Sequence, residues 1–251
     1  MLSLLALATC AALGQGGDDV KHIASQDVKI GDDANQRYFL IGPRAKHVPP
    51  TGYRLVLVLP GGDGGADFLD FVKRIYDQSL PDDYVVAELV APVWSADQAR
   101  SLVWPTRLHP HPKMKFATEE FVNNVIKDVA GKVKIDKRGV FQLAWSSSGP
   151  AAYAISLQRD TPVAGSYIAM SVFHPQQLPP LGNAKGRIYF LDHSPDDETC
   201  KFAFAEQARD QLRQSGAKVE MVTYAGGHGW QGDVHGRLRQ GFAWLARNAP
   251  R

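Results

Sequence analysis

Cysteine is scarce in this chain, which contains only Cys10 and Cys200 among its 251 residues. So few cysteines cannot form the disulfide framework of a small secreted domain, and no cysteine–histidine cluster has the spacing of a zinc site. An excess of charge of either sign is also lacking, because 28 lysines and arginines stand against 26 acidic residues, a net charge of +2. We therefore expect no bound metal and no nucleic-acid partner.

Long apolar runs are equally scarce, and the first 13 residues form the one uncharged apolar run of note. That run is too short to span a bilayer comfortably, so we expect no stable membrane insertion. Small residues follow it around Gly14, as at the cleavage site of a secretory signal peptide. We therefore predict a cleaved signal peptide at residues 1–14, a secreted or periplasmic protein, and a mature chain in which Cys200 has no partner cysteine. A short buried helix or an uncleaved anchor is the alternative interpretation.

The composition, with 44% hydrophobic and 22% charged residues, is typical of a folded globular protein. Continuous apolar runs predict buried strands, and apolar residues at helical spacing predict helices between them. The predicted strands cover residues 37–41, 53–59, 84–91, 139–145, 163–170, 187–191 and 217–224. The predicted helices cover residues 66–79, 118–129, 151–158, 199–215 and 234–248. This alternation predicts a single α/β domain over residues 15–251, with a doubly wound, mainly parallel sheet and helices on both faces.

Two segments show neither kind of periodicity. Residues 18–36 are polar with few apolar anchors, and we expect a loop or an edge hairpin there. Residues 92–116 are irregular, and we expect a long excursion over the surface. Loops of this length are more often functional than idle.

The sequence VFQLAWSSSGPAA at residues 140–152 leads from a buried strand directly into serines, small residues and a helix. A nucleophile elbow needs this arrangement, because its turn is so tight that the flanking side chains must be small. The serine hydroxyl then stands at the carboxyl end of the sheet, and the next backbone N–H faces the developing oxyanion. The alternative is a serine-rich helix cap after a strand.

Two registers of the elbow fit this sequence. With Ser146 as the nucleophile, the flanking residues Ala144 and Ser148 are both small. With Ser147 as the nucleophile, one flanking residue is Trp145, which is not small. Steric fit therefore favours Ser146.

An acid and a base follow the serine in the chain order nucleophile, acid, base, which is the order of α/β-hydrolase triads. Asp192, Asp196 and Asp197 come after the predicted strand 187–191, where an acid could orient the base. His228 lies in a glycine-rich loop after the last predicted strand. Its Nε2 could accept the serine proton while its Nδ1 donates to the acid.

From about Tyr53 onward, the chain resembles the α/β-hydrolase superfamily, especially its small esterases without a large cap domain. These are the phospholipase/carboxylesterase, feruloyl-esterase-like and dienelactone-hydrolase-like branches. In those families the acid lies in a loop similar to Gly-x-x-Asp-x-x-Val-Pro, with which residues 194–201 align. The resemblance therefore implies Asp197 as the acid, with Asp196 and Asp192 as alternatives. Cys200 and Lys201 replace the Val-Pro pair, which is a departure from the pattern.

Residues 59–65, LPGGDGG, follow a buried strand where lipases and esterases carry a His-Gly-Gly type sequence. Glycines allow the backbone to turn its N–H groups toward a substrate oxygen. By resemblance, the oxyanion hole would use the N–H of Gly62 or Asp63 together with that of Ser147. A plain glycine turn is the alternative, and a phosphate-binding loop is disfavoured because no Gly-Lys-Ser/Thr sequence follows.

Aromatic and histidine residues near these motifs are ambiguous. Trp104 and Trp230 could wall a substrate pocket, and they could equally pack in the core. His193 adjoins the acid loop and could line the site or lie at the surface.

Together these motifs predict a serine hydrolase that cleaves carboxylic esters of small molecules through an acyl-enzyme intermediate. Such a cycle is completed by water, so we expect no cofactor. We expect residues 92–116 to shape the acyl or alcohol pocket. A small serine peptidase of the same fold is one alternative. An inactive binding protein is another, because Ala144 and Ser148 stand where the elbow usually has glycines.

Overall fold

A computed structural model of the protein describes residues 17–249, so the predicted signal peptide at residues 1–14 lies outside the described residues. Within this part of the chain, eight strands form one sheet. The strands are β1 (Ser25–Lys29), β2 (Arg37–Ile41), β3 (Tyr53–Leu59), β4 (Tyr84–Leu89), β5 (Ile135–Trp145), β6 (Gly165–Ala169), β7 (Ile188–His193) and β8 (Lys218–Thr223).

The strand order across the sheet is β1-β2-β4-β3-β5-β6-β7-β8. The β1–β2 and β2–β4 pairs are antiparallel, and every other neighbouring pair is parallel. This arrangement confirms the predicted mainly parallel sheet. It also confirms the hairpin alternative for residues 18–36, because β1 lies in that segment and pairs with β2 at the edge of the sheet.

Helices cover both faces of the sheet, as predicted. They are α1 (Leu69–Ser79), α2 (Ala96–Ser101), α3 (Thr118–Lys132), α4 (Gly149–Ser156), α5 (Phe202–Gln214) and α6 (Val234–Asn248). Side chains alternate along β3, so that Leu55, Leu57 and Leu59 join the core beneath α3, α4 and α5. Val56 and Val58 join the opposite core beneath α1 and α6. Burial on both faces explains why this strand is a continuous apolar run.

Several element boundaries differ from the predictions, and one helix was not predicted. Residues 92–116 were expected to be irregular, yet they contain α2, in which Gln98 alone is buried and which therefore lacks an apolar stripe. The helix predicted from residue 199 begins at Phe202, because the preceding backbone N–H groups bind an aspartate instead. β5 begins at Ile135, four residues before the predicted start.

The helices described between residues 17 and 249 are all too short or too polar to cross a membrane.

Candidate active site

The turn after β5 places Ser146 at the carboxyl end of the sheet. Ser146 has a φ of +54°, in the left-handed region that is unfavourable for a residue with a β-carbon. It starts a short 3-10 turn, Ser146–Ser148, which runs directly into α4. Gly149 must be a glycine here, because a β-carbon on it would lie 1.9 Å from Ser171 Oγ. The turn therefore has the geometry of a nucleophile elbow.

Serine hydroxyls hold this elbow in place. Ser148 Oγ donates a hydrogen bond to the Leu59 carbonyl at 2.6 Å and accepts one from the Trp145 N–H at 3.0 Å. Ser171 Oγ donates to the Ser146 carbonyl at 2.6 Å. Ser148 thus stands where a glycine is usual and uses its buried hydroxyl to join the elbow to β3.

Ser146 belongs to a hydrogen-bonded chain with a histidine and an aspartate. Ser146 Oγ lies 3.0 Å from His228 Nε2, and His228 Nδ1 lies 2.8 Å from Asp197 Oδ2. A carboxylate only accepts hydrogen bonds, so Nδ1 carries the imidazole proton and Nε2 is free to accept from the serine. The Asp197 carboxylate is fully buried, whereas the His228 side chain is 18% exposed.

Backbone groups hold the other oxygen of the aspartate. Asp197 Oδ1 accepts hydrogen bonds from the N–H groups of Thr199, at 2.9 Å, and Cys200, at 2.8 Å. Ser194 Oγ accepts one from the Gly227 N–H at 3.2 Å and thereby connects the acid loop to the glycine-rich loop of His228. The hydrogen bonds of both oxygens fix the orientation of the carboxylate.

The alternative acids predicted from the sequence lie elsewhere. Asp192 is buried at the end of β7, where it accepts hydrogen bonds from Tyr167 at 2.8 Å and Arg237 at 3.0 Å. Burial raises the pKa of Asp192, and the charge of Arg237 opposes that rise. Asp196 is exposed. Neither residue makes a hydrogen bond to His228 in the described part of the chain.

The alternative nucleophile Ser147 is directed at the glycine loop of residues 59–65, which we call the oxyanion loop. Ser147 Oγ donates to the Gly62 carbonyl at 2.8 Å. Gly62 has a φ of +61° and Gly64 a φ of +67°, conformations that glycine adopts readily. A β-carbon on Gly61 would lie 2.5 Å from the Trp145 ring, so the loop packs closely against the elbow.

A cavity of about 350 Å³ opens beside Ser147 and Gly62. Its wall is made of polar and apolar residues in equal number and includes part of α2. The lining residues are Gly62, Arg100, Ser101, Leu102, Val103, Trp104, Thr106, His109, Ser147, Pro150, Val172, His174, Gln177 and Leu178. The excursion of residues 92–116 therefore supplies much of the wall.

The two tryptophans predicted to be near the site have different positions. Trp104 lines the cavity, and its Nε1 donates to the Pro60 carbonyl at 3.0 Å. Trp230 packs in the core instead, with its ring centroid 5.7 Å from those of Trp145 and Phe71. Its proximity in sequence to His228 does not bring it to this cavity, because the glycine-rich loop turns its side chain into the core beneath α1 and α6.

Cys200 and His193 surround the acid and are buried. Burial and the negative charge of Asp197 raise the pKa of the Cys200 thiol to about 12, while the influence of the Ser146 side chain works in the opposite direction. Burial lowers the pKa of His193, which favours its neutral form. The sequence alone gave no sign of the contacts of Ser171, Ser194 or Cys200, because their partners are distant in sequence or belong to the backbone.

Groups of histidine, cysteine and acidic side chains that could bind a metal are absent from residues 17–249.

Comparisons with known proteins yield structural similarity only. The sequence matches no protein-family model and no curated protein. A carboxylesterase from Mesorhizobium loti is similar with a TM-score of 0.64 and 15% identity, over 88% of this chain and 98% of that one. A truncated carbohydrate esterase from gut microbiota is similar with a TM-score of 0.68 and 11% identity, over 89% and 96%.

A third similar structure is an α/β-hydrolase enzyme, MGS-M1, from a deep-sea metagenome library of the Medee basin. It has a TM-score of 0.65 and 13% identity, over 90% of this chain and 98% of that one. The protein therefore has the α/β-hydrolase fold.

Proposed function

We propose that this α/β-hydrolase-fold protein is a serine hydrolase that cleaves carboxylic esters of small molecules. The observation that carries the proposal is a pair of hydrogen-bond distances. Ser146 Oγ lies 3.0 Å from His228 Nε2, and His228 Nδ1 lies 2.8 Å from Asp197 Oδ2. A serine within reach of a base that is itself oriented by a buried carboxylate is the arrangement of an activated nucleophile. Similar structures include a carboxylesterase and a carbohydrate esterase, and this similarity supports an ester as the bond that is cleaved.

In the proposed reaction, Ser146 Oγ bonds to the ester carbonyl carbon while its proton passes to His228 Nε2. The carbonyl electron pair moves to the oxygen. When the tetrahedral intermediate collapses, the ester C–O bond breaks and His228 returns the proton to the departing alcohol. Water, deprotonated by His228, then attacks the acyl-enzyme and releases the acid and free Ser146. Asp197 accepts the Nδ1 hydrogen bond throughout and stabilises the imidazolium.

The oxyanion would be held by the backbone N–H groups of Ser147 and Gly62. Ser147 follows the nucleophile at the start of the turn into α4, where the N–H groups of a helix point outward. The Gly62 carbonyl points to Ser147 Oγ. In a trans peptide the C=O of one residue and the N–H of the next point in opposite directions, so the Asp63 N–H points away from the Ser147 side chain. Neither the Gly62 N–H nor the Asp63 N–H makes a hydrogen bond within residues 17–249, so it is the direction of the Gly62 carbonyl that favours Gly62 over Asp63 as the second donor.

The substrate would enter the cavity of about 350 Å³ beside Gly62 and Ser147. This volume is at the lower end of the range for small-molecule pockets, which argues for a compact acyl or alcohol group. We further propose that residues 1–14 direct the protein out of the cytoplasm and are removed.

Labelling of the purified protein with a fluorophosphonate probe tests the proposal. The phosphonate should react stoichiometrically with the wild-type protein, and Ser146→Ala should abolish both labelling and hydrolysis of a 4-nitrophenyl ester. Ser147→Ala should still be labelled. Labelling that vanishes only in Ser147→Ala would move the nucleophile by one residue. A folded wild-type protein that is neither labelled nor active would overturn the proposed function.

A further inference from the structure

His193 is the last residue of β7 and is buried directly behind the aspartate, with 2% of its side chain exposed. Its Nε2 lies 2.6 Å from the Cys200 carbonyl and 3.3 Å from Asp197 Oδ2. We propose that His193 is a positioning residue that holds the Asp197 carboxylate in place for His228, an inference that rests on the proposed function. His193 would touch no substrate and would act through Asp197 and Cys200.

The hydrogen on His193 Nε2 follows from its partner. A backbone carbonyl only accepts hydrogen bonds, so the nitrogen 2.6 Å from the Cys200 carbonyl must carry a proton. The same N–H therefore also presents a positive partial charge to Asp197 Oδ2, the oxygen that accepts from His228 Nδ1. The imidazole rings of His193 and His228 thus both lie against the same oxygen, Asp197 Oδ2.

Cys200 is the residue through which this histidine has most effect. Its carbonyl accepts from His193, and its N–H donates to Asp197 Oδ1. The bond from His193 therefore closes the loop from residue 193 to residue 200 around the acid. If that bond is lost, Cys200 is free to shift, and Asp197 Oδ1 loses a fixed donor.

A shift of the carboxylate would weaken the hydrogen bond to His228. The two oxygens of Asp197 have different partners, so a rotation of the group that moves Oδ1 from Cys200 also moves Oδ2 from His228 Nδ1. Displacement of a catalytic group by about 1 Å costs on the order of a hundredfold in rate. Burial also makes an unpaired Cys200 carbonyl unfavourable, so the loop would rearrange.

The test compares His193→Phe, which keeps a ring but removes the N–H, with His193→Gln, whose amide N–H replaces that of Nε2. Tyr189→Phe is the matched control. Tyr189 lies on the same strand, and its replacement loses a buried 2.9 Å hydrogen bond to Ser156. Its hydroxyl makes no hydrogen bond to Ser146, His228 or Asp197. The measurements are kcat and KM for a 4-nitrophenyl ester, with active protein counted by phosphonate titration.

We expect His193→Phe to lower kcat about ten- to hundredfold with little change in KM, and His193→Gln to restore most of kcat. Tyr189→Phe should lower stability without affecting kcat. The downfield proton resonance of the hydrogen-bonded His228 Nδ1–H should move upfield in His193→Phe and remain in place in the other two variants.

Wild-type kcat and an unmoved resonance in folded His193→Phe would overturn the inference. If His193→Phe does not fold, His193→Asn replaces it, because its shorter amide cannot reach the Cys200 carbonyl. An Asn variant as active as the Gln variant would also overturn the inference. A wild-type protein with no phosphonate labelling and no hydrolysis would refute the proposed function, and the resonance would still report whether His193 positions Asp197.

Discussion

The Ser147 hydroxyl donates a hydrogen bond to the Gly62 carbonyl at 2.8 Å and thereby joins the residue after the proposed nucleophile to the oxyanion loop. These two residues are 85 positions apart in the sequence. Their backbone N–H groups are the proposed oxyanion donors, so this bond fixes the distance between the two donors. If the proposed function holds, the side chain of Ser147 has a role in addition to that of its backbone.

Removal of that hydroxyl should weaken catalysis without removing the nucleophile. A neutral hydrogen bond contributes about 0.5–1.5 kcal/mol, so we expect Ser147→Ala to lower kcat by up to about tenfold. Ser147→Thr keeps the hydroxyl and should retain most of the activity. Steady-state kinetics on an ester substrate provide the measurement. Equal kcat values in the wild-type and Ala proteins would show that the oxyanion loop is held by other contacts.

Gly149 and Ser171 form a steric pair beneath the elbow. A β-carbon at residue 149 would lie 1.9 Å from Ser171 Oγ, so we expect Gly149→Ala to lower the free energy of unfolding by about 1–3 kcal/mol. Ser171→Gly removes the obstructing atoms, so the double variant should be more stable than the sum of the two single effects predicts. Urea unfolding of the wild-type protein, the two single variants and the double variant completes the double-mutant cycle. Additive effects would contradict a direct clash.

Trp104 and Trp230 should respond differently to replacement by phenylalanine. Trp104 lines the cavity and donates to the Pro60 carbonyl, so Trp104→Phe should change KM for the ester. Trp230 fills the core against Trp145 and Phe71, so Trp230→Phe should cost about 1–3 kcal/mol of stability with little change in KM. Kinetics and thermal unfolding on both variants distinguish the two roles. An altered KM in Trp230→Phe alone would reverse this assignment.

Glu88 should make the stability of the protein depend on pH. It is fully buried on β4, and neither of its carboxylate oxygens has a hydrogen-bond partner among residues 17–249. Burial, reinforced by the charge of Asp67, holds the pKa of Glu88 well above its ordinary value of 4.5. The folded state therefore retains a proton that the unfolded chain loses as the pH rises above 4.5.

The stability contributed by protonated Glu88 is complete below pH 4.5 and is lost as the pH rises toward the folded-state pKa. Each unit of the increase in pKa corresponds to about 1.4 kcal/mol. Glu88→Gln cannot ionise, so the stability of the variant relative to the wild-type protein should increase between pH 4.5 and pH 8. Urea unfolding at several pH values tests this, and parallel pH curves for the two proteins would refute it.

Strands were predicted most accurately where burial on both faces produces a nearly continuous apolar run in the sequence. β2 and β3 have the predicted bounds, because a strand that is covered on both faces is mostly apolar. α2 was missed because it buries one glutamine and no apolar stripe. Thr199 and Cys200 were assigned to a helix because their composition permits one, although their N–H groups bind Asp197.

The sequence by itself determined the order of the strands and helices apart from β1 and α2, the turn after β5, and the chain order of serine, acid and histidine, because local periodicity and small residues encode these features. Steric fit favoured Ser146 and the resemblance implied Asp197, but the sequence could not show which serine and which of three acids would face His228. Only the tertiary structure decided this, since packing directs Ser147 to Gly62, pairs Asp192 with Arg237, and leaves Ser146 and Asp197 on His228. Contacts between residues tens of positions apart depend on how the sheet brings loops together. The local sequence around each residue therefore does not predict such contacts.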